Sequence, residues 1–102
     1  MHTIRLRGAW ETVASGGTVC HSRNFGRPRS LDPGQRVWLV CDRLPGPARV
    51  SLNGTDLATA SHTGPFAADI TDRLAPRNVV VFSVSSPDPL GDVALQIRGP
   101  GD

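Results

Sequence analysis

Lysine and tyrosine are both missing from this sequence, and glutamate occurs once, as Glu11. All 11 basic residues are therefore arginines, set against nine acids, and the formal net charge is only +2. So small a charge gives little non-specific attraction to a polyanion, because that affinity grows with the number of phosphates neutralised. Nucleic acid is not an expected partner, and the arginine monopoly reads as coding-DNA base composition. Long apolar runs are missing too. Neither 37–41 nor 79–84 approaches the roughly 20 residues that a membrane span requires, so no membrane association is expected. The N-terminus, Met1 to Arg7, has no apolar h-region and no small-residue cleavage site, which makes the cytoplasm the expected location. There Cys20 and Cys41, in separate predicted strands, are expected to be reduced thiols. A Cys20–Cys41 bridge is the alternative if the sequence belongs to a longer, exported chain.

Aromatics are few: Trp10, Phe25, Trp38, Phe66 and Phe82. The core must come chiefly from Val, Leu, Ile and Ala. With 102 residues the chain is expected to be one domain, 1–102, of a size that buries somewhat over ~60% of its unfolded surface without metal or disulfide staples.

What the sequence does have is punctuation. Eleven glycines and nine prolines leave no room for long helices, and the stretches between them alternate with period two. Strands are expected at 4–7, 10–14, 18–25 (with room for a turn), 37–41, 48–52, 55–60, 79–84 and 93–98. Segments 26–34 and 61–65 read as loops, 86–91 as a turn, and 99–102, ending in Asp102, as a tail. The 37–41 run is apolar on both faces and should be buried on both sides, and both it and 79–84 should lie mid-sheet. Asn53-Gly54 tolerates positive φ at both positions and is a strong hairpin signal. One helix-like piece, 69–74, has Thr71 placed to cap a single turn through its hydroxyl, with Asp72 in the first turn and Pro76 ending it. Seven or eight short strands with turns every 8–12 residues point to an antiparallel all-β sandwich or barrel.

The order of the pieces narrows this further. Arg36-Val37-Trp38-Leu39-Val40, then Ala48 to Gly54, then Pro65-Phe66, Asp69-Ile70-Thr71, Leu74 and Asn78-Val79-Val80-Val81 resemble the galactose-binding-like jelly-roll sandwich. They are most similar to the N-terminal sugar-binding domain of glycoside hydrolase family 2, the β-galactosidase and β-glucuronidase group. The match covers about 36–84, with Trp10 and Arg23-Asn24-Phe25 supporting it upstream. The resemblance implies a fold rather than a reaction. In that family the catalytic carboxylates sit on a separate (β/α)₈ barrel of about 250 residues, for which this chain has no room. Retaining hydrolysis also needs two carboxyl groups roughly 5 Å apart. Here there is one Glu, and Asp32-Pro33-Gly34, Asp88-Pro89 and Gly91-Asp92 read as turn chemistry.

No other constellation carries catalysis, so the chain is not expected to be an enzyme. His2, His21 and His62, with two cysteines, match no zinc spacing, and no metal or cofactor is expected. Ser61-His62 with Asp69 has the residue types of a hydrolytic triad but no G-x-S-x-G elbow. Asp69 with Thr71 reads as backbone capping where the chain turns. The binding candidates are Trp38, expected on an outer sheet face where it can stack on a sugar or a partner; Arg23 and Asn24, expected with Arg27 and Arg29 in a loop-like cluster suited to sugar hydroxyls or anions; and His62. Trp10 is expected in the core. The sequence thus supports a non-catalytic carbohydrate-binding module, and alternatively a structural or protein-interaction domain that self-associates through a sheet face or edge.

Overall fold

The alternating segments form nine strands in the computed structural model, which describes residues 1–101; Asp102 of the expected tail lies outside the described residues. In chain order the strands are β1 (His2–Arg5), β2 (Glu11–Ser15), β3 (Thr18–Gly26), β4 (Arg36–Leu44), β5 (Ala48–Leu52), β6 (Thr55–Ala60), β7 (Gly64–Asp69), β8 (Arg77–Val84) and β9 (Val93–Arg98), with one 3₁₀ turn at Thr71–Arg73. They make a four-stranded sheet, β1-β9-β4-β7, and a five-stranded sheet, β2-β3-β8-β5-β6. All pairings are antiparallel. Only the β2–β3 and β5–β6 connections stay within a sheet; every other connection crosses to the opposite one. The result is a β-sandwich with jelly-roll-like alternation. Among the described residues no helix is long and apolar enough to cross a membrane.

The two apolar runs do lie mid-sheet: β4 sits between β9 and β7, and β8 between β3 and β5. Burial on both faces, however, does not hold for β4. Val37, Leu39 and Cys41 are buried between the sheets, whereas Trp38 and Val40 are half-buried on the outer face. Across the gap Val80, Phe82 and Val84 of β8 are fully buried. Phe82 is the hub, with Trp10 tilted against it at 6.1 Å between ring centroids and Phe66 edge-on at 6.1 Å. Such pairs stabilise beyond their buried area. Trp10 therefore packs against the core, as its position implied.

Three local expectations need correction. β3 runs unbroken through nine residues, with no turn. Segment 64–69, partly assigned to a loop, is a strand; its Pro65 and Ala67-Ala68 conceal it, and the proline is tolerated because β7 is an edge strand. Thr71 is not the cap of the short turn. Ile70 holds that position without a side-chain cap, while Asp69 Oδ1 accepts from both Thr71 N (3.0 Å) and Thr71 Oγ1 (2.7 Å). The Thr71 hydroxyl in turn accepts from Val37 N at 2.7 Å, which ties the turn to the start of β4. The Asn53-Gly54 hairpin forms as expected, with φ of 52° and 82°, as a type I′ turn demands.

One end of the sandwich is closed by a single buried amide. Asn78, only 1% exposed, accepts at Oδ1 from Ala75 N (2.8 Å) and Asn53 Nδ2 (3.0 Å). Its Nδ2 donates to Ala75 O (2.9 Å) and Phe25 O (3.4 Å). The side chain thus ties β8 to β3, to the 3₁₀ connection and to the hairpin turn. Asn78→Ala should strip several buried groups of their partner at once, each worth roughly 1–3 kcal/mol. Urea denaturation should show a loss of about 2–4 kcal/mol. Asn24→Ala, at an exposed position on β3, should stay within about 0.5 kcal/mol of the parent.

Candidate functional site

The opposite end of the sandwich stays open. Two connections frame it. The first, between β1 and β2, begins at Leu6, which is buried and donates its N–H to Val93 O (2.9 Å). It turns through Gly8 and Ala9, both with positive φ (62° and 55°). It ends on Trp10, whose Nε1 donates back to Leu6 O at 2.8 Å. Arg23, one strand away, clamps this connection from beneath. Its Nε donates to Gly8 O (2.9 Å), its Nη2 to Arg7 O (3.0 Å) and its Nη1 to Asn24 O (3.0 Å). The second connection, between β8 and β9, is held flat against β4 by Gly91 N donating to Arg43 O (2.9 Å) and Asp42 N to Asp92 O (3.0 Å). A side chain at Gly91 would fall 2.7–2.8 Å from the Arg43 backbone and onto the Asp42 carboxylate. Only glycine permits that approach.

Between these walls lies a depression of about 840 Å³, within the range of small-molecule sites. Its lining runs from Leu6, Trp10, His21, Phe66 and Leu90 at the mouth between the sheets to Arg5, Val40, Ala67, Ala94 and Gln96 on the outer face of the four-stranded sheet. Arg7, Asp42 and Asp92 also border it. Aromatic surface faces the mouth between the sheets, with the Arg7 guanidinium and the Asp42 and Asp92 carboxylates at its border. That combination can pack against an apolar ring face and hydrogen-bond hydroxyls around it.

His21 is the most distinctive group there. It is 8% exposed, its Nδ1 meets Thr12 Oγ1 at 3.2 Å, and its buried Nε2 has no hydrogen-bond partner. Burial pushes its pKa below the usual histidine value of 6.5. Cys41, which also lines the depression, is pushed up to about 11, chiefly by burial, so its thiol stays protonated and inert.

The four candidates from the sequence do not meet. Trp38 is on the outer face of β4, and the Arg98 guanidinium stacks over its ring at 4.4 Å while donating to Gln96 Oε1 (2.8 and 3.1 Å). Arg23 and Asn24 lie on β3, not in a loop. Arg23 points inward and is occupied by backbone carbonyls, whereas Asn24 is exposed, two positions on from Ser22 along the strand. His62 is on the exposed β6–β7 loop, with Nδ1 2.8 Å from Ser61 Oγ. Asp69 is at the far end of β7 from that pair. There Arg36 donates to Asp69 Oδ2 and Asp72 Oδ2, both at 2.9 Å. Burial raises the Asp69 pKa, but the hydrogen bonds from Arg36 and Thr71 outweigh it and hold the carboxyl below the usual aspartate value. Cys20 and Cys41 are unpaired: Cys20 faces Ser83 at 3.5 Å on one sheet and Cys41 bonds the Arg43 and Gly91 carbonyls on the other. Among the described residues no three His, Cys, Asp or Glu side chains gather as a metal site. The residues that do converge, Trp10, His21, Phe66 and Leu90, are far apart in sequence.

No protein-family model matches this sequence, and no curated protein matches it. Its fold, by contrast, recurs among solved structures. A β-D-glucuronidase of Dictyoglomus thermophilum superposes with a TM-score of 0.79 over 97% of this chain at 13% identity. A β-glucuronidase of Bifidobacterium dentium does so at 0.72 over 81%, with 22% identity. The chain has the β-sandwich fold of a glycosidase segment. A glycosyl hydrolase family 2 member of Bacteroides cellulosilyticus gives 0.69 over 82%, at 18% identity. The chain spans 28%, 20% and 12% of these three proteins, respectively, so the glycosidase-like sandwich is a fraction of each enzyme. The resemblance to family 2 glycosidases drawn from 36–84 holds at the level of the fold.

The buried imidazole gives the sandwich a pH dependence of known sign. His21 binds its proton less readily folded than unfolded. Its contribution is therefore neutral above the unfolded value of ~6.5 and becomes a loss of stability as pH falls through and below it. Thermal unfolding should show Tm declining from pH 7 to pH 5, and His21→Gln should flatten that decline. The Asp69 effect belongs to a separate, more acidic window below ~4.

Proposed function

We propose that this chain is a non-catalytic carbohydrate-binding module, and that the ligand occupies the open-end depression between the Leu6–Trp10 connection and the Pro89–Asp92 loop. The observation that carries this reading is the lining itself. Trp10 and Phe66 present apolar aromatic surface, while Arg7, Asp42 and Asp92 offer donors and acceptors at the rim. A sugar ring has both an apolar C–H face and a belt of hydroxyls, and this pairing matches both. The fold adds support, since the same sandwich occurs in enzymes named for cleaving glucuronides. At the closed end, by contrast, Asn78, Asp69 and Thr71 direct their polar atoms at the protein itself.

The fold segment covers only 12–28% of the enzymes that share it, which supports a binding rather than a bond-breaking role. The lone glutamate, Glu11, lies exposed on the edge strand β2. The pair Ser61–His62 has Asp69 at the other end of β7, engaged by Arg36.

The test is chemical-shift mapping of the ¹⁵N-labelled chain with methyl β-galactoside, methyl β-glucoside, methyl β-glucuronide and soluble plant and microbial glycans. Binding in the millimolar to micromolar range should move the Leu6–Trp10 amides together with those of Phe66 and Gly91. Trp38→Phe leaves Trp10 as the sole fluorophore, whose emission should change along the same titration. Silence across the panel, or shifts confined to the Asn78 end, would overturn the proposal in favour of a structural or protein-interaction domain.

A further inference from the structure

Four strands form the sheet edges: β1 and β7 in one sheet, β2 and β6 in the other. An edge strand presents a row of unpaired N–H and C=O groups, and folds normally blunt such rows with charge, proline, bulges or brevity. Three of the four are blunted here. β1 has four residues and ends in Arg5. β7 contains Pro65 and ends in Asp69. β6 carries Asp56 and pairs through a register shift opposite Val50 and Ser51. β2 has no such device beyond Glu11 at its start. Thr12, Val13, Ala14 and Ser15 follow, the whole strand is exposed, and Val13 is 62% exposed.

The hairpin determines which groups on β2 are free. Gly16 and Gly17, with φ of 58° and 84°, make a two-residue type I′ turn, which closes on a hydrogen-bonded pair, here Ser15 with Thr18. Alternation then commits Val13 to Cys20 and Glu11 to Ser22. It turns the N–H and C=O of Thr12 and Ala14 away from β3. These outward groups have a two-fold relation about Val13. An antiparallel strand of the same sequence with Val13 opposite Val13 sets Thr12 opposite Ala14 on both sides, as two hydrogen-bonded pairs. Glu11 then falls opposite Ser15, so no like charges meet. The two Val13 side chains form the non-hydrogen-bonded pair, where side chains approach most closely. The strand is also held in place for pairing, because Thr12 Oγ1 and His21 Nδ1 fix its inner face.

We infer that β2 is a self-association edge, through which two copies of this chain pair antiparallel about Val13 into one continuous sheet. Any extended peptide could satisfy the backbone groups. A second copy alone brings the isologous match at every position. Five residues a side bury much less than the ~1,200 Å² of a stable interface, so the association is reversible and depends on concentration.

Sedimentation equilibrium of the full chain from micromolar to millimolar should show apparent mass climbing from 10.8 kDa toward twice that value. Ala14→Pro removes an N–H that β3 does not use, and Val13→Glu sets two carboxylates face to face. Each should abolish the rise in mass while leaving the circular dichroism spectrum and Tm unchanged. Should the proline disturb the hairpin, Val13→Glu decides the matter. In a mixture of labelled and unlabelled chains, isotope-filtered NOEs should connect Val13 methyls across copies. A monomer at every concentration, a dimer that survives both substitutions, or intermolecular NOEs at another face would overturn the inference.

Discussion

The carboxamide of Asn78 occupies the one place in this sandwich where backbone pairing alone cannot succeed. A strand start, a hairpin turn and a 3₁₀ connection converge there. Each leaves backbone groups that no ladder can reach, and burying such groups unpaired is costly. An amide offers two donors and two acceptor lone pairs on one short side chain, and all four are used, at Ala75, Asn53 and Phe25. A leucine, with the same branching but no polar atoms, would strand the backbone. From this anchor β8 enters the five-stranded sheet in fixed register, so Val80, Phe82 and Val84 face inward. Trp10 and Phe66 then meet Phe82.

The two ends of the sandwich differ in what their polar bonding holds in place. At the closed end Asp69, Thr71, Val37 and Arg36 bond to one another in sequence. The exposed ion pairs of Arg36 add little stability in water; their effect is to fix the turn that brings the chain back to β8. At the open end the bonding fixes the walls instead. Arg23 holds the Leu6–Trp10 connection and the Arg43 backbone holds Gly91, while His21 Nε2 is left without a partner inside. Folds depart from full internal satisfaction mainly where something else is served.

Much of the fold was legible because period-two alternation and turn chemistry act locally. Asn53-Gly54, the mid-sheet runs 37–41 and 79–84, and the alternation of 93–98 each carry their own signal. β7 was not fully legible, since Pro65 and two alanines dilute strand propensity and only pairing with β4 makes them a strand. The capping role of Asp69 with Thr71 was legible and holds; its second partner, Arg36, was not, because it lies 33 positions away. The candidate site was legible least. Trp38 and Arg23 stand out as residue types, yet the first is capped by Arg98 and the second serves the backbone. The residues that converge on the depression, Trp10, His21 and Phe66, come from three strands or their connections, and their meeting depends on sheet order, which no local pattern encodes.

β2 belongs to both proposals, and strand geometry keeps its two roles apart. Side chains stand perpendicular to the sheet, whereas backbone groups lie in its plane. Thr12 therefore reaches inward to His21 at the depression with its hydroxyl, while its N–H and C=O lie along the free edge. A second copy added at that edge extends the sheet sideways and leaves the lining of the depression untouched. Ligand uptake and pairing should then be thermodynamically independent to first order, because neither partner binds one state of the other preferentially. Coupling between them would have to pass through the one contact they share, Thr12 Oγ1 to His21 Nδ1. Its 3.2 Å length and the lowered basicity of the buried imidazole make it a weak conduit at neutral pH. Protonating His21 would turn Nδ1 into an obligate donor toward Thr12. Acidic conditions are therefore where the site and the edge would begin to sense each other.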